Sequence, residues 1–316
     1  MKRLKELRQS LGLTQEALAK ALQTTQQTIA RWETGKAEPN LSSLRDLAMI
    51  FGTSVDDVVG SNPISKRVTT NTYTLFTKGD QDGYWGNVGI LLPGKQHTRW
   101  YPITSSERMR IANSLNHHDA QFICFSTLNN RMIVMSTANV RRVWLLDDAC
   151  DQPGGDWEVE WDSVEGCPLE FYRALEDYAF SQEDFRASAS PTLISMVEER
   201  VKEEKWDEEA IFRITNETLI WLSDGDRVNY SADEDDLWGL IVAMESEDID
   251  RMIRLDEHGG DFESFYPRDK VALVEMPLLR VMDAAKRELR ELNGGSPKAD
   301  SGHSRASTAR SRMESD

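Results

Sequence analysis

The chain has 316 residues, 39% of them hydrophobic and 8% aromatic, which is enough to bury a large core and is typical of two or three domains. Its 37 basic and 54 acidic residues give a net charge of −17, which repels nucleic acid at long range, so any DNA binding must come from a local surface. No apolar run approaches the roughly 20 residues that span a bilayer, and we expect a cytoplasmic protein without membrane contact.

Cysteine and histidine usage gives no sign of a metal or cofactor site. The three cysteines lack Cys-x-x-Cys spacing, and the five histidines form no spaced pair on one element. Neither a nucleophile motif nor a glycine-rich phosphate loop is present, and the acidic runs at 198–209 and 233–236 are typical of solvated faces. We therefore expect no metal, no cofactor and no catalytic residue, and hence no enzyme.

The acidity is concentrated in the middle of the chain. Residues 1–62 carry 8 basic and 7 acidic groups, and residues 294–316 carry 4 and 3, so that residues 63–293 hold 25 basic against 44 acidic groups. The first segment is therefore close to neutral, and it is the part that an anionic partner such as DNA would tolerate.

The first 60 residues are predicted to form five short helices. Apolar residues recur there at helical spacing in five runs, and three of the four turns between them contain glycine or proline. Thr14, Thr25 and Ser54 are placed to cap the second, third and fifth helices. Five helices in 60 residues, with the second and third closely coupled, indicate an all-α module with a helix-turn-helix pattern.

The remaining chain is predicted to be α+β, in two β-rich subdomains. Short β-branched and aromatic runs predict strands at 68–76, 84–92, 122–126, 132–135, 140–146, 211–214, 219–222, 237–244 and 271–274. Helices are predicted at 105–115, from 168, at 191–205 and from 277. The domains expected are 1–61, a linker at 62–67, subdomains at 68–190 and 191–293, and a disordered tail at 294–316.

The final predicted helix carries an apolar seam with spacings of four and three. The seam consists of Leu278, Met282, Ala285, Leu289 and Leu292. Packing on its own domain is the preferred interpretation, and a two-heptad coiled coil between two copies is the alternative.

The N-terminal segment resembles the Cro/CI-type helix-turn-helix family of phage repressors and bacterial regulators. The resemblance rests on residues 13–39, which contain Thr-Gln-Glu-Ala-Leu-Ala, then Thr-Thr-Gln-Gln-Thr-Ile-Ala-Arg-Trp-Glu, then Gly-Lys-Ala-Glu-Pro, and it extends to residue 59. It implies a DNA-binding domain whose third helix enters the major groove of double-stranded DNA.

The resemblance also implies roles for individual side chains. Thr25, Gln26, Gln27 and Arg31 are the candidates for base reading, because a glutamine amide can bond adenine and an arginine suits guanine or phosphate. The candidates for phosphate contact are Gln15, Thr34 and Lys36. Arg8 and Glu33 match an ion pair of the family that ties the first helix to the third, and the core is expected to contain Leu18, Ala19, Ile29, Trp32 and Leu47.

Residues 122–148 are faintly similar to the bent strands of Sm-like barrels. On that interpretation Arg131, Arg141 and Arg142 are candidates for RNA binding, whereas the alternative is that they form ordinary ion pairs beside an acidic surface.

Three functions remain open. The leading one is a sequence-specific transcriptional repressor that acts as a homodimer, with the acidic region serving dimerisation or the sensing of a protein or small-molecule effector. The second is an antitoxin-like DNA-binding protein whose acidic region masks a protein partner. The third is an enzyme fused to a DNA-binding anchor.

Overall fold

The structure is a computed structural model that describes residues 1–60, 84–116, 121–151, 153–154, 166–230, 234–245, 251–257 and 262–292. The helices are α1 (Lys2–Ser10), α2 (Gln15–Ala21), α3 (Gln26–Glu33), α4 (Leu41–Phe51), α5 (Val55–Val59), α6 (Ser105–Leu115), α7 (Leu169–Phe180), α8 (Gln182–Ser188), α9 (Pro191–Glu204), α10 (Glu208–Thr215), α11 (Glu234–Glu245) and α12 (Leu278–Leu292). The strands are β1 (Tyr84–Leu91), β2 (Arg99–Thr104), β3 (Phe122–Ser126), β4 (Arg131–Ser136), β5 (Arg142–Asp147), β6 (Thr218–Leu222), β7 (Arg227–Tyr230), β8 (Met252–Glu257), β9 (Phe262–Pro267) and β10 (Val271–Pro277).

Polar side chains cap four of the five helices in the N-terminal domain. Thr14, Thr25, Asn40 and Ser54 each accept a hydrogen bond from the backbone N–H three residues further along, which satisfies one of the free donors at a helix start. The helix starts predicted at Thr14, Thr25 and Ser54 are therefore confirmed, and so is the all-α character of this domain.

The core of the N-terminal domain is the one expected from the apolar periodicity. The predicted members are all buried, and they are Leu18, Ala19, Ile29, Trp32 and Leu47. They pack with residues of α1, α4 and α5 in one cluster. Burial of each large apolar side chain contributes about 1.5 to 3 kcal/mol to the stability of the fold. This packing holds the short helices together, since none of them is stable alone.

The rest of the described chain, which we call the body, contains two larger antiparallel sheets. The first sheet has the strand order β3-β4-β10-β6-β7, and the second has the order β2-β1-β5. In the first sheet the central strand β10 pairs Val274 with Val134 of β4 and with Ile220 of β6. Strands β8 and β9 form a separate hairpin.

The body has three layers. One face of the five-stranded sheet, which includes Val134 and Ile220, packs against helices α7 to α12. The opposite face, which includes Ile133 and Trp221, packs against the three-stranded sheet. Side chains alternate between the two faces along each strand, so the same sheet contributes residues to two separate cores, one on each side.

Two predicted strands are helices. Residues 211–214 lie in α10, where Asp207 caps the helix and Ala210, Ile211 and Ile214 are buried on one side. Residues 237–244 lie in α11, whose buried Leu237, Leu240, Ile241 and Met244 recur at helical spacing. Both predictions were wrong because a short apolar run does not by itself distinguish a buried strand from the buried side of a helix.

Most other predicted elements are confirmed, with ends that agree within three residues. Those at 84–92, 105–115, 122–126, 132–135, 140–146, 191–205, 219–222 and 271–274 coincide with strands or helices, and helices follow 168 and 277 as expected. The predicted strand at 68–76, the linker at 62–67 and the tail at 294–316 lie outside the described residues. Strand β10 pairs with both β4 and β6, so the expected subdomains 68–190 and 191–293 contribute strands to one sheet.

Helix α12 packs on its own chain. The seam residues Leu278, Met282 and Ala285 are buried in the core of the helical layer. This arrangement matches the preferred interpretation of the seam and leaves these three residues unavailable to a coiled coil. Among the described residues, no helix is long and apolar enough to cross a lipid bilayer.

The N-terminal domain is docked on the helical layer of the body through α4 and α5. Met49 of α4 belongs to the core of the helical layer. Arg45 donates hydrogen bonds to Glu170 at 2.6 Å and to Asp177 at 2.8 Å. Two further contacts join Ser190 to Asp46 and Lys286 to Asp56. The docking face is therefore defined by Arg45, Asp46, Met49 and Asp56.

Candidate nucleic-acid interface

The turn between α2 and α3 sets the relative orientation of the two helices. Helix α2 ends with hydrogen bonds from the N–H of Gln23 to the carbonyl of Lys20 and from the N–H of Thr24 to the carbonyl of Ala19, which is a Schellman motif. Gln23 occupies the left-handed position of that motif, with φ of 52°. Glycine is the usual residue there, so Gln23 holds the turn at an energetic cost.

The first turn of α3 presents its predicted base-reading side chains to solvent. The hydroxyl of Thr25 accepts a hydrogen bond from the N–H of Thr28, which leaves its methyl group as the feature open to contact. Gln26 and Gln27 are exposed, and Arg31 is exposed one turn beyond Gln27. The structure thus brings all four residues together along the exposed side of one short helix.

A buried ion pair ties α3 to α1. Arg8 donates to Glu33 at 2.5 Å through Nε and at 3.3 Å through Nη2, as the family pattern implies. Gln15 also donates to Glu33, at 2.8 Å. These hydrogen bonds hold the pKa of Glu33 below its usual value, although burial raises it.

The three side chains predicted to contact phosphate differ in their exposure and in the hydrogen bonds that they already make. Lys36 is exposed and has no ion-pair partner within the described residues. Thr34 donates its hydroxyl hydrogen to the carbonyl of Ala30 at 2.8 Å. Gln15 is half-buried and uses one amide hydrogen on Glu33, which leaves the other hydrogen for a phosphate. Lys36 is therefore the strongest of the three candidates.

The geometry of the first five helices agrees with the comparison with known proteins. Residues 4–58 match the family model described as helix-turn-helix. The N-terminal domain is a helix-turn-helix domain. No solved structure matches the chain significantly.

Two curated relatives are each similar to a part of the chain. The HTH-type transcriptional activator BcrR of Enterococcus faecalis is 35% identical over 74 residues, which are 23% of this chain and 36% of that protein. The SPbeta prophage-derived uncharacterized HTH-type transcriptional regulator YonR of Bacillus subtilis is 44% identical over 54 residues, which are 17% of this chain and 50% of that protein. The chain therefore matches half or less of the length of each relative, over less than a quarter of its own length.

The docking of the helix-turn-helix domain leaves the exposed side of α3 uncovered by the described body. The contacts with the body come from α4 and α5, whereas Gln26, Gln27 and Arg31 remain exposed in the whole chain. Sequence reasoning missed the docking face. A usable signal was Arg45, a charged residue between the apolar Leu44 and Leu47 of α4.

The arginines considered for RNA binding do not form one site. Arg131 is fully buried, and it donates to the carbonyls of Arg213 at 3.0 Å and Glu217 at 3.2 Å. It is a structural residue and cannot face RNA. The Sm-like interpretation is also wrong, because β5 pairs with β1 in a different sheet from β3 and β4. Only Arg141 and Arg142 are exposed.

Proposed function

We propose that the protein is a sequence-specific regulator of transcription that binds double-stranded DNA by inserting α3 into the major groove. Thr25, Gln26, Gln27 and Arg31 read base edges in this proposal. The observation that carries it is the exposure of these side chains on a helix-turn-helix domain that is docked through α4 and α5. Glutamine can bond the N6 and N7 edge of adenine with both ends of its amide, and arginine can bond guanine.

Phosphate contacts fix the position of the domain in this proposal. Lys36 supplies a positive charge, and Gln15 donates its second amide hydrogen to a phosphate. Thr34 contacts the DNA backbone after its hydroxyl group rotates away from the carbonyl of Ala30. The segment 1–62 is nearly neutral, with 8 basic and 7 acidic residues, so it approaches DNA more easily than the acidic body does.

The regulator acts in the cytoplasm as a homodimer in this proposal, because one small helix-turn-helix domain reads too few bases for a specific site. The two half-sites lie about one helical turn, roughly 10 bp, or a multiple apart. We propose repression as the sign of regulation, since occupying a promoter needs no further contact with the transcription machinery. No catalytic role is assigned, which agrees with the regulator names of both relatives.

Selection of bound duplexes from random-sequence DNA tests the proposal. The full chain is expected to enrich one motif with two-fold symmetry and with half-sites at the stated spacing. Sedimentation of the protein with the enriched duplex is expected to give two copies per site. Failure to enrich any sequence, at a salt concentration where the protein still binds DNA, would contradict sequence-specific binding.

A further inference from the structure

A group of cations surrounds one tryptophan at the end of the body where several loops meet. Trp221 of β6 is buried, and its ring centroid lies 5.0 Å from Nζ of Lys95, 5.0 Å from Cζ of Arg99 and 5.5 Å from Cζ of Arg227. Arg227 is the cross-strand partner of Trp221 on β7. We call Lys95, Arg99 and Arg227 the cation cluster.

Among the described residues, Arg99 is the member of the cation cluster that forms an ion pair. Glu275 is fully buried, and it accepts hydrogen bonds from Nη2 of Arg99 at 3.1 Å and from Nε1 of Trp221 at 2.8 Å. Lys95 and Arg227 make no ion pair with any residue in the described ranges. In a chain with 54 acidic residues against 37 basic ones, two cations without an ion-pair partner beside one ring are unexpected.

The loop that carries Lys95 lies close to the turn that precedes Arg227. The loop that joins β1 to β2 lies against the turn that joins β6 to β7, where a Cβ on Gly225 would come within 3.0 Å of the carbonyl of Pro93. Arg141 donates to the carbonyl of Lys95 at 3.1 Å and so adds an exposed cation to the same loop. Convergent loops on a rigid sheet are common places for binding sites.

The positive charges of Lys95 and Arg227 repel each other, and a bound anion would offset this repulsion. The ring of Trp221 attracts cations through its face, but it carries no net charge. Asp224 and Asp226 lie exposed in the β6–β7 turn, and the side chain of Asp224 accepts the N–H of Asp226. Neither forms an ion pair with Lys95 or Arg227. Glu217 interacts with Arg227 at longer range, since the charge of Arg227 acts to lower the pKa of Glu217 against the larger effect of burial, but no carboxylate of the described residues forms an ion pair with Lys95 or Arg227.

We propose that the cation cluster binds a small oxyanion, a phosphate or a carboxylate group, between Lys95 and Arg227 at the rim of Trp221. Arg227 offers a planar set of N–H donors that suits both groups, and Lys95 offers a mobile point charge. Arg99, fixed by the buried Glu275, positions the ring and adds no net charge.

The site is distinct from the DNA-binding surface. Trp221 faces the three-stranded sheet, whereas the helix-turn-helix domain is docked on the helical layer across the five-stranded sheet. The anion is therefore not a phosphate of the DNA that α3 contacts in the same protomer. The inference does not depend on the proposed function, and it is tested without DNA.

The test measures the melting temperature of the full chain against increasing phosphate or citrate at constant ionic strength. We expect a saturating rise in one or both titrations, since a ligand that binds only the folded state stabilises it by mass action. The variant K95Q/R227Q is expected to lose the saturating rise of the melting temperature, because its affinity for the anion is reduced by about tenfold for each removed cation. The control K20Q/K202Q removes two exposed lysines elsewhere and is expected to keep it.

Several outcomes would overturn the proposal. A saturating rise that is equal in K95Q/R227Q and wild type would place the anion elsewhere. A purely linear rise in wild type would be the general stabilisation that kosmotropic anions give every protein. Binding of a 12-nucleotide RNA without a response to either small anion would assign the cation cluster to nucleic acid. Folding of K95Q/R227Q is checked without added anion by its circular-dichroism spectrum, which is expected to match that of wild type, and by a single cooperative melting transition.

Discussion

Arg45 of the helix-turn-helix domain and Glu170 of the body form a buried ion pair at 2.6 Å across 125 residues of sequence. Its two side chains are 10% and 0% exposed. Burial raises the pKa of Glu170 above its usual value, although the charges of Arg45 and Arg173 act in the opposite direction. The pair joins the docking face to α7, so the orientation of α3 is set by the body and not by a tether alone.

Removing Arg45 is expected to destabilise the protein strongly. R45A leaves the carboxylate of Glu170 buried without its partner, and such a loss costs about 3 to 5 kcal/mol. Urea denaturation of the full chain measures the difference. The control R186A breaks an exposed pair with Glu198, whose side chains are 50% and 37% exposed, and is expected to cost about 0 to 1 kcal/mol. Equal effects of the two substitutions would contradict the docking role.

Replacing Gln23 by glycine is expected to stabilise the helix-turn-helix domain. Gln23 has φ of 52°, a conformation that costs a residue with a side chain about 1 kcal/mol more than glycine. Thermal unfolding of Q23G is therefore expected at a higher temperature than that of wild type. K5G, in the middle of the exposed side of α1, is expected to lower stability by about 1 kcal/mol. A lower melting temperature for Q23G would show that the turn has another conformation.

The contribution of Glu33 to stability is expected to depend on pH. The hydrogen bonds from Arg8 and Gln15 outweigh burial and lower the pKa of Glu33 in the folded state. A carboxyl group with a lowered pKa stabilises the fold above its unfolded pKa, about 4.3, and loses that contribution as the pH falls through the folded pKa. The difference in unfolding free energy between wild type and E33Q is therefore expected to shrink between pH 7 and pH 3. A constant difference would mean that Glu33 is not charged in its pair.

Lys36 is expected to act on DNA through charge alone. K36A should weaken binding to all duplexes alike and reduce the slope of log affinity against log salt by about 0.9 for each lost phosphate contact. Filter binding to a selected and a scrambled duplex at several salt concentrations measures both effects. K202A, which removes an exposed lysine of α9, is the control and is expected to leave the slope unchanged. A change of sequence preference in K36A would contradict a pure phosphate role.

The helices of the N-terminal domain could be predicted from local sequence signals, whereas the fold of the body depends on contacts between residues far apart in sequence. Capping residues such as Thr14 and Thr25 act within three residues, so the sequence reveals them directly. The run at 237–244 was ambiguous because its apolar residues fit a buried strand or a buried helix face, and only packing under the five-stranded sheet separates the two. No local pattern links Arg45 to Glu170.

The candidate DNA-binding residues could likewise be predicted from local sequence, whereas the cation cluster could not. Gln26, Gln27 and Arg31 lie within six residues on one helix, and a family resemblance was enough to bring them together. The cation cluster draws Lys95 and Arg227 from hairpins more than 100 residues apart, so its existence depends on the sheet topology. The burial of Arg131 likewise depends on distant sequence, because its partners are the carbonyl of Arg213 in α10 and that of Glu217 just after this helix.

The central claim is that α3 reads bases, and a competition experiment with Q26A and Q27A tests it most directly. Each variant is titrated on a fluorescent selected duplex against unlabelled duplexes that carry single base changes, with Q9A on α1 as an exposed glutamine control. We predict that Q26A and Q27A each lose discrimination at one position of each half-site, by about 1 to 3 kcal/mol, while Q9A retains it. Unchanged sequence preference in both Q26A and Q27A would contradict the account.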